Sequence, residues 1–211
     1  MAGRSIRITS DMMADAKKLV RLMGVPVVEA PGEAEAQCAE IVKMGLAYGT
    51  ATEDMDALTF GSAHLIRGFN SKKEPVTQVN LDALLEGFGM NMDEFIDLCI
   101  MCGCDYTKTI GGIGPVRAFK LMEEHRNIEA CLEKITELND DPKKKTKYII
   151  PEKFLYQESR ALFKEPDVIR DRTELEALIK WGKPDAEAIK SFLIEEKSFT
   201  ENKVTSGLTK L

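Results

Sequence analysis

The sequence contains no apolar run of the roughly 18 residues that a membrane-crossing helix needs. Its first residues, M-A-G-R-S-I-R-I-T-S, lack the apolar stretch of a secretory signal. Cysteine is scarce and odd in number: Cys38, Cys99, Cys102, Cys104 and Cys131 are five among 211 residues. That count does not build a disulfide framework. No membrane partner is expected, and an intracellular, reducing compartment is. Histidine is scarcer still, with His64 and His125 at no ligand spacing. The stretch C-I-M-C-G-C at 99–104 suggests zinc, but structural zinc sites commonly join separated ligand pairs, and no second pair exists. The alternative is three small thiols at the buried end of an apolar helix. An excess of positive charge is also missing. A net charge of −6 and a pI near 5.2 argue against non-specific nucleic-acid binding. Charge placement still decides more than the total. The one cationic run, Lys143-Lys144-Lys145-Thr146-Lys147, follows Asn139-Asp140-Asp141-Pro142 and is expected as an exposed loop, either solvated or touching phosphate.

What is present is apolar material for one sizeable core, at 44% hydrophobic residues. Ser10 is placed to cap a helix to about Met23, stopped by Gly24. Val25–Val28 is a short apolar strand candidate. Pro31 opens a helix to about Met44. Leu46–Thr52 and His64–Phe69 are further strand candidates. This alternation predicts an α/β lobe with a parallel sheet over 1–79. From about Asn80 helical spacing dominates: Leu81–Phe88, Met92–Cys102, Val116–Glu124 and Ile128–Ile135. Later helices are expected near Lys153, Thr173, Asp185 and Thr200, with Trp181 closing one of them. Residues 80–211 are therefore expected to form a helical region.

The acidic residues carry the chemistry. Asp54 and Asp56 follow the apolar run ending at Thr52, and ligands of open sheets bind beyond the carboxyl ends of strands. Glu33 and Glu35 follow Val25–Val28 in the same way, and Asp105 ends an apolar helix. Acids at a helix start are also favoured by the helix dipole alone. Convergence of all of them gives hard oxygen donors without histidine or cysteine, which suits magnesium or manganese. Two such ions about 4 Å apart clamp a phosphodiester during hydrolysis. An EF-hand fails because Leu58 stands where an acid or Asn is required. A haloacid-dehalogenase-type phosphatase stays as an alternative, although Thr59 falls one place late for its D-x-D-x-[TV] pattern.

Residues 110–118, I-G-G-I-G-P-V-R-A, place Gly112 and Gly114 before a helix with Pro115 in its first turn. Glycines admit a phosphate close to backbone N–H groups, so the pattern suggests a helix–hairpin–helix clamp over about 98–125.

Together, V-P-V-V-E-A-P-G-E-A-E-A, A-T-E-D-M-D-A-L-T-F-G, F-I-D-L-C-I-M-C-G-C-D-Y and I-G-G-I-G-P-V-R-A closely resemble the flap endonuclease family of structure-specific 5′ nucleases. Weaker similarity continues to S-G-L-T-K-L at the end of the sequence. The resemblance implies a PIN-like α/β nuclease lobe with a helical DNA-binding lobe. It implies that Glu33, Glu35, Asp54, Asp56 and Asp105 ligate magnesium, with manganese as a substitute. It places Glu33, Gly103, Asp105, Gly112, Gly114 and Arg117 against DNA. It implies a potassium site at Thr109, Ile110 and Ile113. The substrates implied are DNA with a 5′ flap, a double flap or a nick, in nuclear or mitochondrial replication and repair.

Departures from the pattern shape the expectation. Gly111 and Val116 stand where family members often carry basic residues. No counterpart of the family's upstream segment, with two further metal-binding acids and a helical arch, is found before Arg4–Met23. Asp11 and Asp15 do not match those acids. The sliding-clamp box Q-x-x-[IL]-x-x-F-F is also not found. The stretch thus corresponds to the C-terminal two-thirds of such a nuclease. It is expected either to be part of a magnesium-dependent nuclease or to act as a catalytically incomplete DNA-binding module.

Overall fold

A computed structural model describes residues 8–69, 75–142 and 147–211. Lys143 to Thr146 of the cationic run lie outside the described residues. In chain order the elements are α1 (Ser10–Leu22), α2 (Ala34–Lys43), β1 (Thr50–Ala51), α3 (Asp56–Thr59), β2 (His64–Arg67) and β3 (Thr77–Asn80). Then follow α4 (Leu81–Phe88), α5 (Met92–Cys102), α6 (Pro115–His125), α7 (Ile128–Asp140), α8 (Tyr156–Lys164), α9 (Arg172–Leu178) and α10 (Ala186–Lys190). A π-helical stretch, Ser191–Glu196, precedes α11 (Glu201–Leu208).

The chain divides into two compact units, one of residues 30–170 and one joining residues 1–29 to 171–211. In the larger unit the sheet runs β1-β2-β3. Strands β1 and β2 are parallel, with Thr50 opposite Leu65, and β3 is antiparallel, with Leu65 opposite Val79. The crossover between the parallel strands is short and contains α3. Leu58 and Leu65 from this region share one apolar core with Ile100, Met122, Ile128, Ile135 and Phe163, so the sheet and helices α4 to α8 are not separate bodies. The compact division therefore runs elsewhere than residue 80.

Local signals explain most helix starts. Asn91 and Glu94 form a capping box at α5, with N–H to oxygen distances of 3.0 and 2.9 Å. Asn80 and Asn127 cap α4 and α7 by accepting from Ala83 and Ala130 N–H. At α1 the cap is Thr9 rather than Ser10, because the Thr9 hydroxyl faces Met12 N–H. Val25–Val28 forms no ladder among the described residues. Pro26 has no N–H to donate there, and α2 begins only at Ala34, after Pro31. The strand expected over Leu46–Thr52 shrinks to Thr50–Ala51, and that over His64–Phe69 ends at Arg67. The helix expected to close at Trp181 ends at Leu178, leaving Trp181 exposed.

In the smaller unit Leu175, Ile189, Phe192 and Val204 are buried. The Lys18 ammonium lies 4.3 Å from the Phe192 ring centre and pairs with Glu196. Asp15 is held by Lys197 at 2.6 Å, so this acid is engaged in an ion pair on α1.

One buried ion pair ties the helical part of the larger unit together. Asp97 on α5 is 3% exposed and takes both Nε and Nη2 of Arg160 on α8, at 2.7 and 2.8 Å. Asp97 also accepts from Ile128 N–H at 3.1 Å, at the start of α7, while Arg160 spans to Glu129 at 3.0 Å. Removing one partner strands the other charge in the core. Arg160→Ala is expected to lower stability by about 3 kcal/mol in urea unfolding, and Asp97→Asn in that background to recover part of the loss.

Candidate metal and nucleic-acid site

The acidic loop grows out of the end of β1. Thr52 continues the parallel ladder by donating its N–H to Ile66. Its hydroxyl then donates to Glu35 Oε1 at 3.2 Å and accepts from Asp54 N–H at 3.1 Å. Asp54 Oδ1 in turn accepts from Asp56 N–H at 3.0 Å, which starts α3. Directly after Asp56, residues Ala57, Leu58, Thr59 and Phe60 are buried to 1% exposure or less and anchor the loop in the core. A chain of three hydrogen bonds thus sets Glu35, Asp54 and Asp56 relative to one another. Thr52 was not singled out from the sequence; its position just before E-D-x-D is the signal that could have found it.

Glu33 is the residue preceding α2, yet its side chain makes no cap hydrogen bond. The carboxylate is exposed and uncommitted, so capping does not account for it. Asp105 follows α5 through Gly103. Gly103 has φ +117°, and a Cβ there would stand 2.9 Å from Thr109 Cγ2, so only glycine fits this exit. The Asp105 side chain is exposed.

These carboxylates share one electrostatic environment. The Asp56 carboxyl is pushed up to about 6, first by burial and then by the charges of Asp54, Asp105, Glu35 and Glu33. The other four sequence-derived acids are therefore gathered around it. Burial, followed by Glu33, Asp56 and Asp105, also holds the Tyr106 hydroxyl above its ordinary range. Tyr106, whose ring meets Phe163 at 5.2 Å, is a wall of the site that the sequence did not reveal. Arg67, on β2, lies 3.5 Å from Glu53 and donates to Met55 Sδ at 3.2 Å. Among the described residues, no three His, Cys, Asp or Glu side chains come close enough to close around one ion. The donor type and the concentrated charge fit a hard divalent cation, while the open spacing fits one that keeps part of its water shell. Burial pushes Cys99 up to about 12 and also raises Cys102.

The hairpin is built beside α6. Gly112 has φ +85°, and Gly111 pairs in an antiparallel bridge with Ile149, at 2.8 and 3.0 Å. Gly114 precedes α6, with Pro115 in the first turn. Arg117 does not point freely outward: its Nη1 donates to Gly112 O at 2.7 Å. Ile110 and Ile113 are buried, and the Ile110 carbonyl accepts from Ile113 N–H at 3.1 Å, which leaves one lone pair.

Residues 24–105 match the XPG I-region. The whole chain resembles solved structures of structure-specific nucleases. The flap endonuclease-1 of Methanococcus jannaschii superposes with TM-score 0.77 at 29% identity, over 100% of this chain and 60% of that one. The catalytic core of Rad2 in complex with DNA substrate gives 0.80 at 26%, over 97% and 70%. The eukaryotic junction-resolving enzyme GEN-1 binding with potassium gives 0.68 at 28%, over 89% and 53%. The fold is thus the α/β, PIN-like fold of 5′ nucleases. Within that class the chain is similar in sequence to flap endonucleases. It is 49% identical to flap endonuclease 1 of Tetrahymena thermophila over 208 residues, 99% of this chain. It spans about half, 53%, of that relative's length.

The raised Asp56 gives a pH prediction. A carboxyl with a folded value above its unfolded one destabilises the fold where it is ionised. Metal-free stability should therefore fall as pH rises from about 4 through 6. Asp54→Asn keeps the acceptor for Asp56 N–H but removes a repelling charge. Melted in EDTA, it should gain on the wild type between about pH 5 and 7, with the gain largest at the upper end. Parallel pH profiles would contradict the coupling.

Proposed function

We propose that these 211 residues carry the acidic edge and DNA-gripping hairpin of a magnesium-dependent, structure-specific 5′ flap endonuclease of replication and repair. The observation that carries this reading is the gathering of Glu33, Glu35, Asp54 and Asp105 around Asp56 at the end of a parallel strand, with no ion pair to any of them among the described residues. Similarity to flap endonucleases over 99% of the chain supports it.

In this reading Glu33, Glu35, Asp54, Asp56 and Asp105 hold magnesium, or manganese in its place. A bound pair of such ions supplies Lewis-acid stabilisation to the attacking and leaving oxygens of a phosphodiester. The protein's own part is orientation. Thr52 fixes Glu35 and the Asp54 backbone, and Asp54 fixes the start of α3. Tyr106 lies close to Glu33, Asp56 and Asp105. Gly103, Gly112 and Gly114 let a DNA backbone come close, and Arg117 braces the hairpin through Gly112 O. A potassium ion at Thr109, Ile110 and Ile113 would use the remaining lone pair of the Ile110 carbonyl; the GEN-1 structure with potassium supports this part. The remaining metal-binding acids and the single-strand arch that the resemblance implies have no counterpart in these 211 residues. The sliding clamp belongs to the family's partners. Nuclear function, with mitochondrial function beside it, is part of the same proposal.

The second reading is a catalytically incomplete DNA-binding module. It is favoured by the open spacing, in which no three acids among the described residues close around one ion. Both readings are separated by a labelled double-flap DNA incubated with the 211-residue protein in magnesium and in EDTA. Weak flap binding with little or no cutting is expected, since losing charge-stabilising groups costs orders of magnitude in rate. Junction cutting should return when the family's N-terminal segment is added in trans. Binding without any restoration would leave the DNA-binding module, and absence of flap binding would contradict both. Efficient magnesium-dependent cutting by the chain alone would show that the acids present suffice.

A further inference from the structure

In the smaller unit α1 is 13 residues long, yet none of them is buried. Leu19 on α1 and Met23 at its C-terminal cap are one turn apart, so they share a face, and both line a groove. The other walls are α10 through Ile189, the π-helical stretch through Leu193, and α11 through Val204 and Gly207. We infer that this groove is a docking surface for a partner protein, which presents an amphipathic helix with acidic side chains flanking its apolar face. The nuclease reading is not needed for this surface and does not depend on it.

The groove has a volume of about 450 Å³. A dry cavity of about 150 Å³ takes one benzene ring, so there is room for about three large apolar side chains. A helix presents that many on one face at i, i+3 or i+4, and i+7. The walls are helical, with no strand edge on which an extended peptide could add a ladder. Leu19, Met23 and Leu193 are only half-buried, so their apolar surface is still available. Gly207, in the last turn of α11, enlarges the groove. A Cβ there would meet nothing within 4 Å, and its φ is not positive, so neither packing nor backbone geometry in this chain calls for glycine. Glycine weakens a helix relative to alanine. The space it leaves is the space a partner's side chain would fill.

Charge selects the partner. Lys203 and Lys210 are the charged residues of the lining; both are exposed, and neither has an ion-pair partner among the described residues. Other lysines of this unit are engaged: Lys18 pairs with Glu196, Lys190 with Glu187 and Lys197 with Asp15. The chain as a whole carries a net charge of −6, so two unpaired ammonium groups beside an apolar groove run against its own bias. They complement carboxylates at the border of a helix's apolar face and repel a helix bordered by lysine. Because both lysines stay in water, they set which partner docks, while the apolar contact supplies the affinity.

The experiment is fluorescence anisotropy of two labelled model peptides with the 211-residue protein. Both carry leucines at helical spacing; glutamates flank the leucines in one and lysines in the other. The glutamate peptide should bind saturably at micromolar protein, and the lysine peptide about tenfold more weakly. Lys203→Glu combined with Lys210→Glu should reverse that preference. Gly207→Leu should abolish binding of the glutamate peptide and melt no lower than the wild type, since leucine favours a helix. A lower melting temperature there would contradict the reading of Gly207, and the charge reversal would then decide alone. A wild type that binds neither peptide, or both equally, would overturn the inference, as would a folded Gly207→Leu that binds like the wild type. In sedimentation, a wild-type dimer lost in Gly207→Leu would assign the groove to a second copy instead. Binding to phosphatidylserine vesicles lost in the same variant would assign it to a membrane surface. Either result would overturn the partner helix.

Discussion

Mutual repulsion among carboxylates is the constraint around which this molecule is arranged. Burial first, and then four neighbouring like charges, raise the Asp56 carboxyl to about 6. Such a cluster is unfavourable for the fold by itself. The stabilisation comes from beneath it, where Ala57 to Phe60 enter the core immediately after Asp56. Thr52 and the Asp54 carboxylate hold the loop by hydrogen bonds to backbone N–H groups, not by recruiting a cation. The Arg67 guanidinium on β2 pairs with Glu53. Among the described residues no cation pairs with these acids, the condition for a divalent ion to bind with advantage.

α5 leads to the same cluster through Asp105. Asp105 reaches it because Gly103 turns the chain in a conformation closed to other residues, with Thr109 packed where a Cβ would go. α5 in turn is locked by Asp97, whose two oxygens are shared between Arg160 and Ile128 N–H. A buried pair of this kind is weak as a source of stability but strict about geometry. It fixes α5 to α7 and α8, and so fixes the element that leads into Asp105. The same logic recurs at Tyr148, which Asn139 clamps against the hairpin.

The sequence disclosed what depends on local chemistry. The start and end of α4 and the start of α5 follow from Asn80, Gly89, Asn91 and Glu94, which are caps within a turn of the residues they serve. The acids at the end of β1 were legible because strand ends are where α/β sheets present ligands. Nonlocal pairing was not legible. Thr77–Asn80 has one strongly apolar residue, Val79, and becomes a strand only because β2 offers it an antiparallel ladder. Val25–Val28 is more apolar yet finds no ladder among the described residues. The grouping of α1 with α9 to α11 rests on contacts across more than a hundred residues, among them Lys18 with Glu196. Thr52 and Tyr106 acquire their places only once the strand end and the α5 exit are brought together.

The central claim is that these carboxylates form a site for a hard divalent ion. Titration with manganese followed by electron paramagnetic resonance measures that directly, without requiring DNA or turnover. The account predicts saturable binding at sub-millimolar to millimolar manganese, displaced by magnesium and lost in Asp54→Asn combined with Asp56→Asn. Binding that is absent, or that persists unchanged in that double variant, would contradict it.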